Sequence, residues 1–281
     1  MVTGRTLKLS NQKFTKLRFE KQVDLSNQRE NREEKAAVAP EIPCILNNRT
    51  SAGYVINPEK RELITVNGCY YRRMAIRTHV LTRDDNLLAT VQYYVKPLLL
   101  PGDLVFISEK AVACTQHRAI PLTDIHPRLL ARLLCKFVHK TPYGIGLGIP
   151  ETMEMALREC GTGRILFAAV ISALGKLFRQ RGWFYKVAGS RASSIDGPCD
   201  CTIPPYNRCV VLGPENPDET AKQLAEALGC RVAIVDINDL GAEILGTSEP
   251  DLDRAHLCEI LRDNPLGQGC QSTPMGIVRE L

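Results

Sequence analysis

No apolar run in this 281-residue chain reaches the roughly 20 residues that a membrane-spanning helix needs. The longest, Ile165 to Phe178, is interrupted by Ser172, Gly175 and Lys176 and reads as a buried helix. The first thirty residues lack the apolar centre of a signal peptide, because Arg5, Lys8, Lys13, Lys16 and Arg18 break it up. Eleven cysteines are an odd number and too sparse for a disulfide scaffold, so most are expected as reduced thiols in the cytoplasm. There is no HExxH pair among the five histidines, no GxSxG elbow, and no P-loop ending in Lys-Ser/Thr. A zinc-dependent protease and an α/β-hydrolase are therefore disfavoured.

The body also lacks a basic excess. Residues 1 to 35 hold nine Lys/Arg and five Asp/Glu, which is four of the chain's net +5, and the remaining residues carry only +1. A nearly neutral body has no footprint for a phosphate backbone, so nucleic acid is not an expected partner except through the basic arm. Residues 1–40 are read as that polar, partly disordered arm, because their composition cannot bury enough surface to offset chain entropy. Residues 41–281 are read as the folded domain, or as two subdomains meeting near 180–200.

What is present is a mixture of strand and helix signals. Glu62 to Val66, Asn67-Gly68 and Cys69 to Ile76 predict a hairpin, since Asn-Gly accepts the positive φ angles of a type I′ turn. Asp84 to Tyr94 predicts a helix with acidic residues at its start, and Pro101-Gly102-Asp103 a turn into the strand Leu104 to Ile107. Pro127 to Lys140 predicts an amphipathic helix whose leucine stripe faces the core, and Glu151 to Cys160 a second helix after the loop Tyr143 to Pro150. Trp183 to Val187 reads as an aromatic strand. Cys209 to Leu212, Asn216 to Leu228 and Arg231 to Ile237 form a strand, helix, strand unit with Pro217 at N1 and Gly229 as the stop. A crossover together with a hairpin predicts a mixed α/β (α+β) fold, with a mixed sheet and flanking helices.

Several clusters could carry chemistry. Asp236, Asn238 and Asp239 lie where Arg231 to Ile237 ends, and ligands in open α/β sheets bind at carboxyl ends of strands; a turn-and-cap role is the equal alternative. Gly267 to Pro274 (GQGCQSTP) would let backbone N–H groups approach an anion, although on its own a plain surface loop is the simpler reading. Gly144, Gly146 and Gly148 precede a helix, but tight packing is the simpler reading. Cys199, Cys201 and Cys209 lack a fourth ligand to complete a zinc site, and Cys114 is a nucleophile only if its thiolate is stabilised.

Taken together, these blocks resemble the coenzyme F-420 gamma-glutamyl ligase family over about residues 76 to 281. Thr78 to Leu87 (THVLTRDDNL) is similar to its first nucleotide-contacting turn, and Pro101 to Lys110 (PGDLVFISEK) to its Gly-Asp and strand block. Val187 to Ser194 (VAGSRASS) resembles NAGIDASN, Arg231 to Gly241 (RVAIVDINDLG) the strand ending in TDTxG, and Gly267 to Arg279 (GQGCQSTPMGIVR) the block GEGxDGIPxVVVR. The resemblance implies a gamma-glutamyl-ligase-like fold that forms a homodimer and binds GTP near the subunit boundary. It also implies Mg or Mn, and joining of L-glutamate to a carboxylate of the deazaflavin cofactor through an acyl phosphate. Mapped onto this chain, nucleotide contacts fall on His79, Val80, Leu81, Ser108, Ser194, Gly267, Gln268, Gly269, Gln271, Ser272 and Thr273. The metal side falls on Asn238, Asp239 and Gln268.

The chain departs from the family where charge matters. Acidic positions of the three blocks fall on Arg191, Asn238 and Gln268, the Thr beside the second falls on Asp239, and a family Lys falls on or near Cys114. Two accounts follow. Asp239 with Asp236 or Asp196 rebuilds a cation site while Arg191 holds phosphate directly, so that Arg191 and Asp239 are the catalytic candidates. Alternatively, the fold is kept as a catalytically degenerate nucleotide- or small-molecule-binding protein.

Overall fold

The computed structural model describes residues 53–138, 146–177, 183–200 and 202–281, and these belong to one compact unit, Arg49–Leu281. The basic arm and the start of order near Ile42 lie outside the described residues, as do His139, Gly144 and Cys201.

Among the described residues, eight strands run in chain order: β1 (Leu63–Val66), β2 (Cys69–Ile76), β3 (Leu104–Ser108), β4 (Ala119–Pro121), β5 (Cys209–Val211), β6 (Arg231–Asn238), β7 (Gly241–Thr247) and β8 (Met275–Glu280). Six form one sheet in the order β1-β2-β8-β3-β6-β7, and β4 pairs with β5 apart from it. β3 lies parallel to β6 and antiparallel to β8, so the sheet is mixed, as expected. The β1–β2 hairpin forms through Asn67 (φ 50°) and Gly68 (φ 84°), as a type I′ turn requires.

Alternation along β3 divides the core. Val105 and Ile107 face one side with Met74, Ile234 and Ile277, under the helices Leu87–Val95 and Pro217–Leu228. Leu104 and Phe106 face the other with Ala233, Val235 and Val278, under the helix Arg254–Leu261. On β8, Gly276 leaves room for Phe106, whose Cζ would lie 2.5 Å from any added Cβ. A third apolar cluster belongs to the helices Leu129–Leu134, Pro150–Cys160 and Thr162–Leu177, packed with Val210 and Leu212.

Several expectations are corrected. The helix expected at Asp84 starts at Leu87, because Asn86 caps it by accepting from Ala89 N at 2.9 Å; Asp84 and Asp85 stay in the preceding turn. Among the described residues, the helix expected over Pro127 to Lys140 is α-helical over Leu129–Leu134, and Leu129 is 85% exposed, so part of its leucine stripe faces outward. Thr162–Leu177 buries Ile165 and Ala168 but exposes Phe167, Val170 and Leu174; it is two-faced rather than buried. The expected strand Trp183 to Val187 is a helix, Trp183–Ala188. The Trp183 indole sits against Gly175, which has no Cβ to obstruct it, and packing between the two helices overrides β propensity. Finally, β5 and β6 are not parallel neighbours: the helix between them is Pro217–Leu228 with Gly229 as its left-handed cap, but β5 belongs to the small sheet.

Candidate functional site

A cleft of about 940 Å³ opens at the carboxyl end of the parallel pair β3 and β6. Its position follows from topology. β8 runs against β3 with Met275 opposite Ile107, so the loop entering β8 must pass over the end of β3. Ser108 N donates to Pro274 O at 2.8 Å, and Thr78 N to Ser272 O at 2.9 Å, which ties the loop to both neighbours. The residues after Asp196 close the opposite wall, where Tyr206 donates to Leu81 O at 2.6 Å.

Most of the expected contact residues meet there. His79, Val80, Leu81, Ser108, Gly267, Gln268, Gly269, Ser272 and Thr273 line the cleft, as do Asn238 and Asp239. Gln271 is not in the lining: its Oε1 turns back to accept from Gly269 N at 2.6 Å. Ser194 ends the short helix Ser190–Ser193 and packs against Gly213. Arg191 also stands outside the cleft, largely exposed and 3.9 Å from Glu159. Where it stands, its guanidinium faces a carboxylate on the helix Pro150–Cys160 rather than the cleft.

The three expected metal-side residues are already engaged within the protein. Asn238 Oδ1 accepts from Leu240 N at 2.8 Å and Gly241 N at 3.2 Å, closing the β6–β7 turn. Asp239 Oδ1 pairs with Lys60 Nζ at 2.7 Å. Gln268 Oε1 accepts from Asp239 N at 3.1 Å and from Asn264 Nδ2 at 3.2 Å. Two amides with committed oxygens and one lysine-paired carboxylate do not fit a divalent cation. Among the described residues no group of three His, Cys, Asp or Glu side chains is placed to hold a metal.

His79 is held between Asp85 and Tyr94, with Nε2 2.9 Å from Asp85 Oδ1 and Nδ1 3.1 Å from the Tyr94 hydroxyl. Burial opposes ionisation of Asp85, but hydrogen bonds from Thr82 and His79 outweigh it and hold the carboxyl below its ordinary range. Cys114 lines the cleft, yet burial pushes its thiol up to about 11, so it is not the nucleophile considered above. Cys209 is a buried free thiol and Cys199 is disulfide-bonded, which leaves no zinc set there among the described residues.

The floor of the cleft holds a group that the sequence reading quoted but did not choose. Glu109, the first residue after β3, is 6% exposed, and its Oε2 has no hydrogen-bond partner. Burial first, and then the Asp236 and Asp196 carboxylates, push it well above the usual carboxylate range. Asp236 is raised by the same causes, burial leading and Asp196 next. Lys110 Nζ meets Asp196 Oδ2 at 2.9 Å; burial works against its charge, but Asp196 outweighs that and raises it. The rule that places ligands at strand carboxyl ends points to Glu109 as directly as to Ser108. It required reading one residue further.

Comparison with protein families supports this architecture. The family model described as F420-0:Gamma-glutamyl ligase matches residues 75–245, more than half of the chain and inclusive of β3, β6 and the turn after β6. No curated protein matches the chain. The loop Gly267 to Pro274 lies beyond the matched segment, and the hydrogen bonds at Thr78 and Ser108 are what bring it to the same cleft. The chain belongs to the F420-0:gamma-glutamyl ligase family.

Proposed function

We propose that this protein is a gamma-glutamyl-ligase-like enzyme that uses GTP to join a carboxylate substrate to the amino group of L-glutamate or a similar amino acid. The observation that carries this reading is the single cleft in which four of the five family-like blocks converge. In such a reaction a carboxylate oxygen takes the γ-phosphoryl group of GTP, giving an acyl phosphate and GDP. The amine nitrogen then attacks the acyl carbon, phosphate leaves, and the nitrogen gives up a proton. Asp236 suits that last step, because a carboxylate raised toward working pH is a better proton acceptor than an ordinary one. Mg or Mn belongs to the family reading, but Asn238, Asp239 and Gln268 do not fit such an ion.

Work in the cytoplasm as a homodimer is part of the same proposal. Support for the dimer is the apolar outer face of Thr162–Leu177, where Phe167 is 59% exposed and Val170 57%. A catalytically degenerate binding protein is the second reading, favoured by one specific finding: Asn238 and Gln268 spend their oxygens inside the protein. Turnover of GTP by purified protein, with Mg²⁺ or Mn²⁺ and with or without L-glutamate and candidate acceptors, separates the two. Amino-acid-dependent release of GDP and phosphate is expected; GTP binding without turnover on any acceptor selects the binding-only reading.

A further inference from the structure

Glu109 lines the cleft, is 6% exposed, and its Oε2 has no hydrogen-bond partner among the described residues. A buried polar oxygen left in that state is costly, and native proteins keep such groups chiefly at catalytic or ligand sites. The sheet fixes its place. β3 and β6 run parallel with Ser108 beside Val235, so one residue further Glu109 and Asp236 stand at the same level over the strand ends. The terminal torsion of a glutamate is soft, and either carboxyl oxygen can turn toward a bound molecule. What the group offers that molecule depends on its surroundings. The charged groups acting on it are Asp236 on β6, Glu243 on β7, Asp196 after the short helix Ser190–Ser193, and the adjacent Lys110. Lys110 is itself held by Asp196 at 2.9 Å. Burial and three carboxylates therefore favour the uncharged acid. An uncharged carboxyl carries one O–H and can donate a hydrogen bond, whereas a carboxylate only accepts.

Amide formation from an acyl phosphate calls for such a donor. When the amine nitrogen attacks the acyl carbon, the carbonyl π pair moves onto the acyl oxygen, which becomes an oxyanion. The pair then returns, the bond from carbon to the phosphate oxygen breaks, and inorganic phosphate leaves with the bonding electrons. We propose that the Glu109 carboxyl donates a hydrogen bond to that acyl oxygen, which makes it a further catalytic residue of this cleft. The inference rests on the ligase reading above and adds to it the group that stabilises the oxyanion. The Glu109 proton stays on Glu109 throughout, because the proton released by the nitrogen goes to Asp236. Asp236 loses its charge on accepting that proton, so repulsion of the oxyanion by its neighbour falls as the oxyanion forms. A donor already fixed in a water-poor site stabilises the transition state more than the ground state. A carboxylic acid kept uncharged by its surroundings can serve as that donor.

The test is steady-state kinetics of the purified full-length protein across pH with GTP, L-glutamate and the family's acceptor F420-0 as substrates, each variant being checked by thermal melting. Glu109→Leu removes the donor and is expected to lower kcat about a hundredfold, with KM for L-glutamate changed less than about threefold. Glu109→Gln keeps an N–H donor on the same side-chain frame and is expected to lose less than about tenfold. In the wild type kcat should fall as pH rises through the raised Glu109 value, because the donor is then lost; in Glu109→Gln, which does not titrate, that alkaline fall should be absent. Where Glu109→Leu fails to fold, the alkaline limb of Glu109→Gln decides. The inference is overturned if folded Glu109→Leu turns over as the wild type does, if Glu109→Gln is impaired as much as Glu109→Leu, if the alkaline fall persists in Glu109→Gln, or if the loss lies in KM with kcat intact. Any of these outcomes, with turnover by the wild type, removes this inference and leaves the ligase reading standing. Absence of turnover by the wild type removes both.

Discussion

The six-stranded sheet and the layer of helices Leu129–Leu134, Pro150–Cys160 and Thr162–Leu177 use apolar residues in different ways. In the sheet, Val105, Phe106 and Ile107 are fully buried, and each contacts a covering helix layer on one side or the other. In the helical layer, Leu129, Leu133, Phe167 and Val170 face outward. An apolar residue in the central strand β3 therefore reports on the core, whereas one in the helices reports either on the core or on a surface. The difference explains which half could be read in advance. Strand periodicity has two outcomes, and at β3 both faces of the sheet are covered. A helix stripe such as that of Leu129–Leu134 shows which residues share a face without showing whether anything packs on it.

The sharpest way to break the comparison is at Phe106. Phe106→Ala is expected to cost about 3–5 kcal/mol, because the ring fills the space left by Gly276 and nothing can collapse into it without moving β8. Urea denaturation measures it, and a loss under about 1 kcal/mol would show that the sheet core is not packed as described. An intermediate effect comes from the end of β3. Glu109 has a folded-state pKa raised above its unfolded value, so its contribution is fully present below the ordinary carboxylate range and is lost as pH rises through the raised value. Each tenfold change in proton affinity is worth about 1.4 kcal/mol. Glu109→Gln should therefore leave stability near the wild type in acid and exceed it in alkali, and melting curves across pH that stay parallel would contradict this. The smallest effect is expected on the helical surface: Phe167→Ser should change monomer stability by no more than about 0.5 kcal/mol. Sedimentation of the same variant then shows whether that face holds a second copy.

Much of the site was legible and part was not, for reasons that particular residues show. The hairpin at Asn67-Gly68, the helix between Pro217 and Gly229 and the loop before β8 carry local signals, and the structure has them where the sequence placed them. The convergence of Leu81, Ser108 and Gly267 to Thr273 on one cleft was readable through the resemblance. Arg191 was not, since its role depended on where a short helix directs its side chain, and that is toward Glu159. The engagement of Asn238 was half-legible, since an amide oxygen at a turn competes for nearby backbone N–H groups, whereas that of Gln268 was not, because its oxygen accepts from Asp239 N across the chain. Glu109 was overlooked because a carboxylate following a buried strand looks like an ordinary helix start, and only the neighbouring Asp236 and Asp196 make it unusual.

The position of β8 has a consequence for the order of assembly. β1 and β2 form one block of the sheet and β3, β6 and β7 another, and β8 is the strand that joins them. Its partners, β2 and β3, are separated from it by most of the described chain, so these pairings close long loops and should form late. Until then two inner strands present open edges of the kind that recruit foreign strands. The loop that completes the cleft leads directly into β8, so a nascent chain acquires its ligand site and loses its most adhesive edges in the same event.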